Sequence, residues 1–146
     1  MFGIMLFLHL TGLFIWLGAL LAIIVMLSML KKQLGSQETN TLAKRIIRVF
    51  SMLAHPSAVV VLISGVLMLL EMDLGSDRPL WLILMERGGG TIILLALILT
   101  GILGSKAKKS LSAGQGVDVR LSGYLTALVS FMVLIVSVVL IVSMKI

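Results

Sequence analysis

Two histidines, His9 and His55, and ten methionines are the only imidazole and sulfur donors in this 146-residue sequence, which has no cysteine. Disulfides, thiolate metal sites and cysteine nucleophiles are thereby excluded. An imidazole offers a lone pair to iron or copper, or moves a proton near neutral pH. His9, Gly12, Trp16 and Ala19 recur at three- and four-residue intervals, which puts them on one face of a helix with two small residues beside the ring. Met52, His55, Ala58, Leu62 and Gly65 form a similar stripe later in the chain. Small neighbours give a flat macrocycle clearance beside an imidazole, and they equally let two helices pack closely. Each histidine can also be a structural hydrogen-bond donor to a backbone carbonyl or to a serine or threonine hydroxyl.

Methionine supplies a second donor type. Histidine with methionine is an axial pair for haem iron, and thioether with imidazole also suits Cu(I). Spacing along two antiparallel helices brings Met68 to the depth of His9 and Met26 to that of His55, although methionine is also a common filler of apolar cores. The candidate cofactor-binding set is therefore His9, Gly12, Trp16, Met68 and His55, with His9 and Met68 as the metal ligands. His55 precedes Pro56, whose missing N–H frees a carbonyl in the preceding turn, so the His55 side chain is expected to donate to that carbonyl or a nearby hydroxyl. No phosphate-binding loop, zinc-protease motif, dinucleotide turn or serine-nucleophile signature occurs.

The elements that carry these residues follow from composition. Hydrophobic residues make up 60% of the chain and charged residues 12%, with a mean hydropathy of +1.20, far outside the range of soluble domains. Four uncharged runs, Ile4 to Leu30, Val49 to Leu70, Gly88 to Gly104 and Ser122 to Met144, each approach or exceed the ~20 residues that cross a bilayer core. They predict an all-α, integral membrane four-helix bundle forming a single transmembrane domain over 1–146, with helices at about 4–30, 49–70, 80–104 and 122–144. The first run has no preceding positive charge and is too long for a cleaved signal sequence. The runs contain no charge, which argues against an ion pump.

Nine of the twelve lysines and arginines fall in the first and third connections, which makes those cytoplasmic and puts both termini outside. The second connection balances Glu71, Asp73, Asp77 and Glu86 against Arg78 and Arg87, and Ser76 within it is expected outside. The net charge of +6 thus sets orientation in a bacterial cytoplasmic membrane and implies no nucleic-acid partner. Lys44 to Arg48 reads as an amphipathic basic stretch at the inner headgroups, and Ser110 to Gly116 as a flexible loop. Gly88-Gly89-Gly90 is a potential break in the third helix, leaving Leu80 to Met85 as an interfacial segment anchored by Trp81, and Glu86-Arg87 as a solvated end or ion pair. In the fourth helix, Gly123, Ala127, Ser130, Leu134, Ser137 and Ile141 form a seam expected to be a helix contact face. At 1.5 Å per residue, His9 lies roughly 8 Å below the outer surface and His55 roughly 9 Å above the inner one, too far apart to share an ion.

The run Leu8-His9-Leu10-Thr11-Gly12-Leu13-Phe14-Ile15-Trp16-Leu17-Gly18 resembles the opening helix of the bacterial copper-resistance D-like, HemJ-like and DUF2269-type membrane families. His55-Pro56 through Ser64-Gly65, Trp81, and Arg120 to Thr126 are similar to later parts of the same pattern, so the resemblance touches all four helices. It implies a four-helix membrane fold. From the HemJ-like branch it implies haem b on His9 and, if the protein is an enzyme, a haem-dependent membrane oxidoreductase; from the copper-resistance branch it implies copper uptake. Where the HemJ-like branch has a lysine in helix three, this chain has Glu86-Arg87. Three functions are thus expected to compete: a haem b protein in electron transfer or porphyrin and respiratory metabolism, a copper or small-solute transport subunit, and a cofactor-free structural subunit of a homo-oligomer or larger membrane complex.

Overall fold

The computed structural model describes residues 1–72, 75 and 78–144; Asp73, Ser76, Asp77 and Lys145, counted above in the charge balance or placed outside, lie beyond the described residues. The chain folds into four long helices, α1 (Phe2–Lys31), α2 (Gln37–Glu71), α3 (Leu80–Ala113) and α4 (Val117–Met144), each long and apolar enough to cross a membrane. Short connections force α1 against α2 and α3 against α4 as antiparallel pairs. Further packing of α2 on α3 and of α1 on α4 closes the bundle. The start of α1 and the end of α4 consequently lie at one end and the two basic connections at the other.

The core explains the pairing. Trp16, Leu20, Ile23 and Leu27 of α1 and Leu121, Tyr124, Leu128, Phe131 and Ile135 of α4 are buried, alternating three- and four-residue steps as left-handed helix packing requires. α2 adds Ile47, Phe50, Ala54, Ala58 and Val61, and α3 adds Ile93, Ala96 and Ala107. Large apolar side chains such as Ile4, Phe7, Phe14 and Leu70 point outward, a pattern compatible with a lipid surround. Two polar ties hold α1 to its neighbours: Glu71 accepts a hydrogen bond from the Phe2 N–H at 3.1 Å, supplying a carboxylate to a helix start that has no cap of its own. At the other end the Lys31 ammonium donates to Ser122 Oγ.

The helices run past the uncharged stretches that announce them. Lys44-Arg45-Ile46-Ile47-Arg48 is not a separate surface segment but part of the opening turns of α2, which start at Ser36, whose Oγ accepts from the Thr39 N–H at 3.2 Å. With 35 residues, α2 is roughly 52 Å long against a hydrocarbon core of about 30 Å. Ser110 to Ala113 is likewise helical, and α3 stops only where Gly114 takes a left-handed φ of 68° and its N–H returns to the Ser110 carbonyl. Charge marks where a helix leaves the membrane, whereas a cap marks where it ends; lysine and arginine are good helix formers.

The three glycines do not break α3. Leu84–Gly89 forms a π-helical turn between the α-helical turn Leu80–Ile83 and Gly90–Ala113. A wider turn keeps backbone groups paired within the helix, which an outright break at membrane depth would not. The seam on α4 is also placed differently: Gly123, Ser130, Leu134 and Ser137 lie on the outer surface of the bundle. Leu128, Phe131 and Ile135 occupy the inner face because they bury more apolar area. Ser130 and Ser137 satisfy their hydroxyls on the carbonyls of Thr126 and Val133, both at 2.8 Å.

Candidate functional site

A cavity of about 480 Å³ lies at the end of the bundle that holds the termini, bounded by all four helices. Its walls are mainly leucine, valine and isoleucine; the polar groups in it are His9, the Arg78–Glu86 pair and Ser143. Met68, Met85, Gly65, Gly89 and Gly90 complete the parts of the lining that matter chemically. The π-helical turn supplies Met85, Glu86 and Gly89, so the irregular stretch of α3 and the cavity coincide, as turns of this kind often do with functional sites.

His9 is set by α2. Its Nδ1 lies 2.9 Å from the Val61 carbonyl oxygen and 3.2 Å from Ser64 Oγ. A carbonyl only accepts, so Nδ1 carries the proton and donates. Ser64 turns its own hydroxyl proton to the Val60 carbonyl at 2.6 Å and is free to accept from His9 as well. In the neutral ring the lone pair is then on Nε2, which has no hydrogen-bond partner among the described residues. This is the arrangement by which a backbone carbonyl fixes the tautomer and orientation of a metal-binding imidazole.

Two glycines let the helices approach closely enough for that bond. A Cβ on Gly12 would stand 2.9 Å from Val61 Cγ2 and 3.1 Å from the Ser57 carbonyl oxygen. A Cβ on Gly65 would stand 3.3 Å from His9 Cε1. Gly12 is therefore a helix-contact residue and is not part of the cavity wall; Trp16, one turn further in, is 2% exposed and belongs to the core. Of the five residues singled out by type and spacing, His9 and Met68 both line the cavity, and Gly12, Trp16 and His55 lie elsewhere.

His55 has a different environment. Its Nδ1 donates to the Ser51 carbonyl at 2.9 Å, within its own helix. That carbonyl is the regular partner of the His55 backbone N–H; the one Pro56 frees belongs to Met52, one residue along. The expected donation to a carbonyl occurs, but not to the freed one. The other edge of the ring faces α3, with Nε2 3.4 Å from where a Gly101 Cβ would be. Met26 and Met52, offered as its neighbours, point out of the bundle at 46% and 70% exposure. His9 bonds to Val61, six residues or about 9 Å along α2 from His55, so the rings occupy separate levels.

Glu86 bonds Arg78 rather than its neighbour Arg87, with Nη1 to Oε2 at 2.9 Å. An eight-residue separation across Pro79 and a π-helical turn follows no helical periodicity, so spacing alone does not disclose it. Among the described residues no cluster of three or more histidine or acidic side chains could hold a metal ion. No family model, curated protein or solved structure matches the chain.

Proposed function

We propose that the protein is a membrane haem b-binding protein that holds its cofactor in this cavity, with His9 Nε2 as an axial ligand and Met68 as the sulfur on the same wall. The observation that carries the reading is the His9 tautomer: its one N–H is committed to Val61 and its lone pair remains for a ligand. Size favours an organic cofactor. A water-sized guest takes up roughly 30 Å³, so a hollow of about 480 Å³ suits an organic group better than a bare copper ion. The donor chemistry fits haem b as well: one imidazole nitrogen for iron, apolar walls for a macrocycle, glycines where it needs clearance, and a guanidinium for its acidic edge.

When bound, haem supplies one-electron chemistry, which places the protein in electron transfer or as an accessory of porphyrin or respiratory metabolism. The chain's own part is to orient the ligand nitrogen through Val61 and to keep water from the iron with leucine and valine. The resemblance of the first helix to haem- and copper-handling families supports the same residue, His9. Orientation with both termini outside a bacterial cytoplasmic membrane, read from the basic connections, opens the cavity toward the outer face. A reading as a structural subunit draws on the outward seam of α4, which leaves small residues free to meet another membrane helix.

Purified protein titrated with haem b should develop a Soret band that shifts on dithionite reduction, and His9→Ala should lose it. Absence of the band in the folded wild-type protein refutes the proposal, and Cu(I) uptake by a colourless protein selects the copper reading.

A further inference from the structure

Resting on the haem-binding reading, a second group at the cavity has a specific task. We infer that Arg78 is the receptor for an acidic group of the ligand, so that the cavity selects an apolar, planar carboxylic acid over its neutral analogue. Arg78 and Glu86 both line the hollow, and their side chains are 43% and 32% exposed, so the pair stands at its mouth rather than inside the apolar wall. A guanidinium has five N–H donors; one bond from Nη1 to Glu86 Oε2 at 2.9 Å spends a single donor and steers the fork. The remaining donors match a second carboxylate in the paired geometry that arginine favours.

The placement of the partners assigns the polarity of the ligand. His9 sits deeper, on α1, where it faces an electron-pair acceptor; Arg78 sits on the last residues before α3, where it faces an anion. A guest that satisfies both carries its metal or its acceptor centre inside the hydrocarbon and its acid at the surface. Glu86 orients the fork and also competes for it. Its removal should therefore tighten binding of an acid, and removal of Arg78 should weaken it.

Iron protoporphyrin IX and its dimethyl ester test this on the purified full chain. Their rings and iron are the same, and only the carboxylates differ. The wild-type protein should bind the free acid roughly two- to fivefold more tightly than the ester, the scale of one partly exposed charge pair. Arg78→Leu should erase that preference, and Glu86→Gln should enlarge it. Equal affinity for acid and ester in the wild-type protein overturns the role of Arg78 while leaving haem binding intact. Failure of both forms to bind overturns haem binding itself and the inference with it. The comparison of the two probes on the wild-type chain needs no variant to fold.

Discussion

Replacing Gly12 with alanine adds one methyl group where α1 and α2 are closest, and Gly18 on the same helix provides the matched control. At Gly12 the new carbon would lie 2.9 Å from Val61 Cγ2 and 3.1 Å from the Ser57 carbonyl oxygen, whereas at Gly18 nothing lies within 4 Å. Neither neighbour yields cheaply: valine has one strongly preferred rotamer in a helix, and the other atom is backbone. Ordinary contact begins at 3.4 Å, so the helices must part by about 0.3 Å or more. Overpacking of this kind costs about 1–3 kcal/mol, while the exchange of glycine for alanine in a helix returns at most about 1 kcal/mol. Gly18→Ala should therefore be neutral or stabilising by up to about 1 kcal/mol, and the two variants should differ by about 1–3 kcal/mol. Unfolding in mixed micelles of rising dodecyl sulfate fraction measures the difference, since the helix-propensity contribution cancels. The same displacement lengthens the 2.9 Å bond from His9 to Val61, so haem affinity should fall at Gly12→Ala and not at Gly18→Ala. Equal stability and equal affinity for the two alanine variants would refute the close approach of α1 and α2 and the explanation of the His9 orientation that depends on it.

His55→Gln should keep any haem signal and lose only about 1 kcal/mol, the value of one local hydrogen bond; loss of the Soret band in that variant would place His55 at the cofactor. Tyr124 is fully buried and its hydroxyl has no partner among the described residues, so Tyr124→Phe should be neutral or stabilising by about 1–3 kcal/mol, and marked destabilisation would reveal a hydrogen bond to that hydroxyl. Cysteines introduced at Ser36 or Ser112 should resist an impermeant thiol reagent in intact cells and one at Gly75 should react, because the basic connections bracket the first two; the reverse pattern would invert the topology. Ser130→Leu and Ser137→Leu should change the unfolding free energy of the isolated chain by less than about 0.5 kcal/mol, since both side chains face outward, and a large loss in the monomer would return them to a contact face.

The all-helical architecture was legible from uncharged run length alone, because a bilayer leaves a chain few ways to satisfy its backbone. Which face of each helix turns inward was legible less evenly. α1 shows its buried face through Gly12 and Trp16, yet α4 shows two regular stripes, and small residues and bulky ones follow the same period. Packing resolved the choice in favour of Leu128 and Phe131. His9 and Met68, paired by antiparallel depth arithmetic, line one cavity. The closing of Arg78 on Glu86 does not follow from such arithmetic, since it depends on a turn that departs from 3.6 residues and on a connection without periodicity. Charge does not mark the helix ends at Lys44 and Lys106, where the capping groups Ser36 and Gly114 stand further out.

The π-helical turn at Leu84–Gly89 has a genetic consequence. A hydrogen bond to the fifth residue encloses one residue more than a bond to the fourth, so the loss of a single codon at Gly88 lets the ladder close as ordinary α-helix with both flanks still in phase. The membrane bundle survives such a deletion, because neither the buried face of Gly90–Ala113 nor that of α4 is rotated. What disappears is the wide turn whose Met85, Glu86 and Gly89 help frame the hollow beside His9. The shape of the hollow and the integrity of the bundle are thus separable in this chain by one in-frame step.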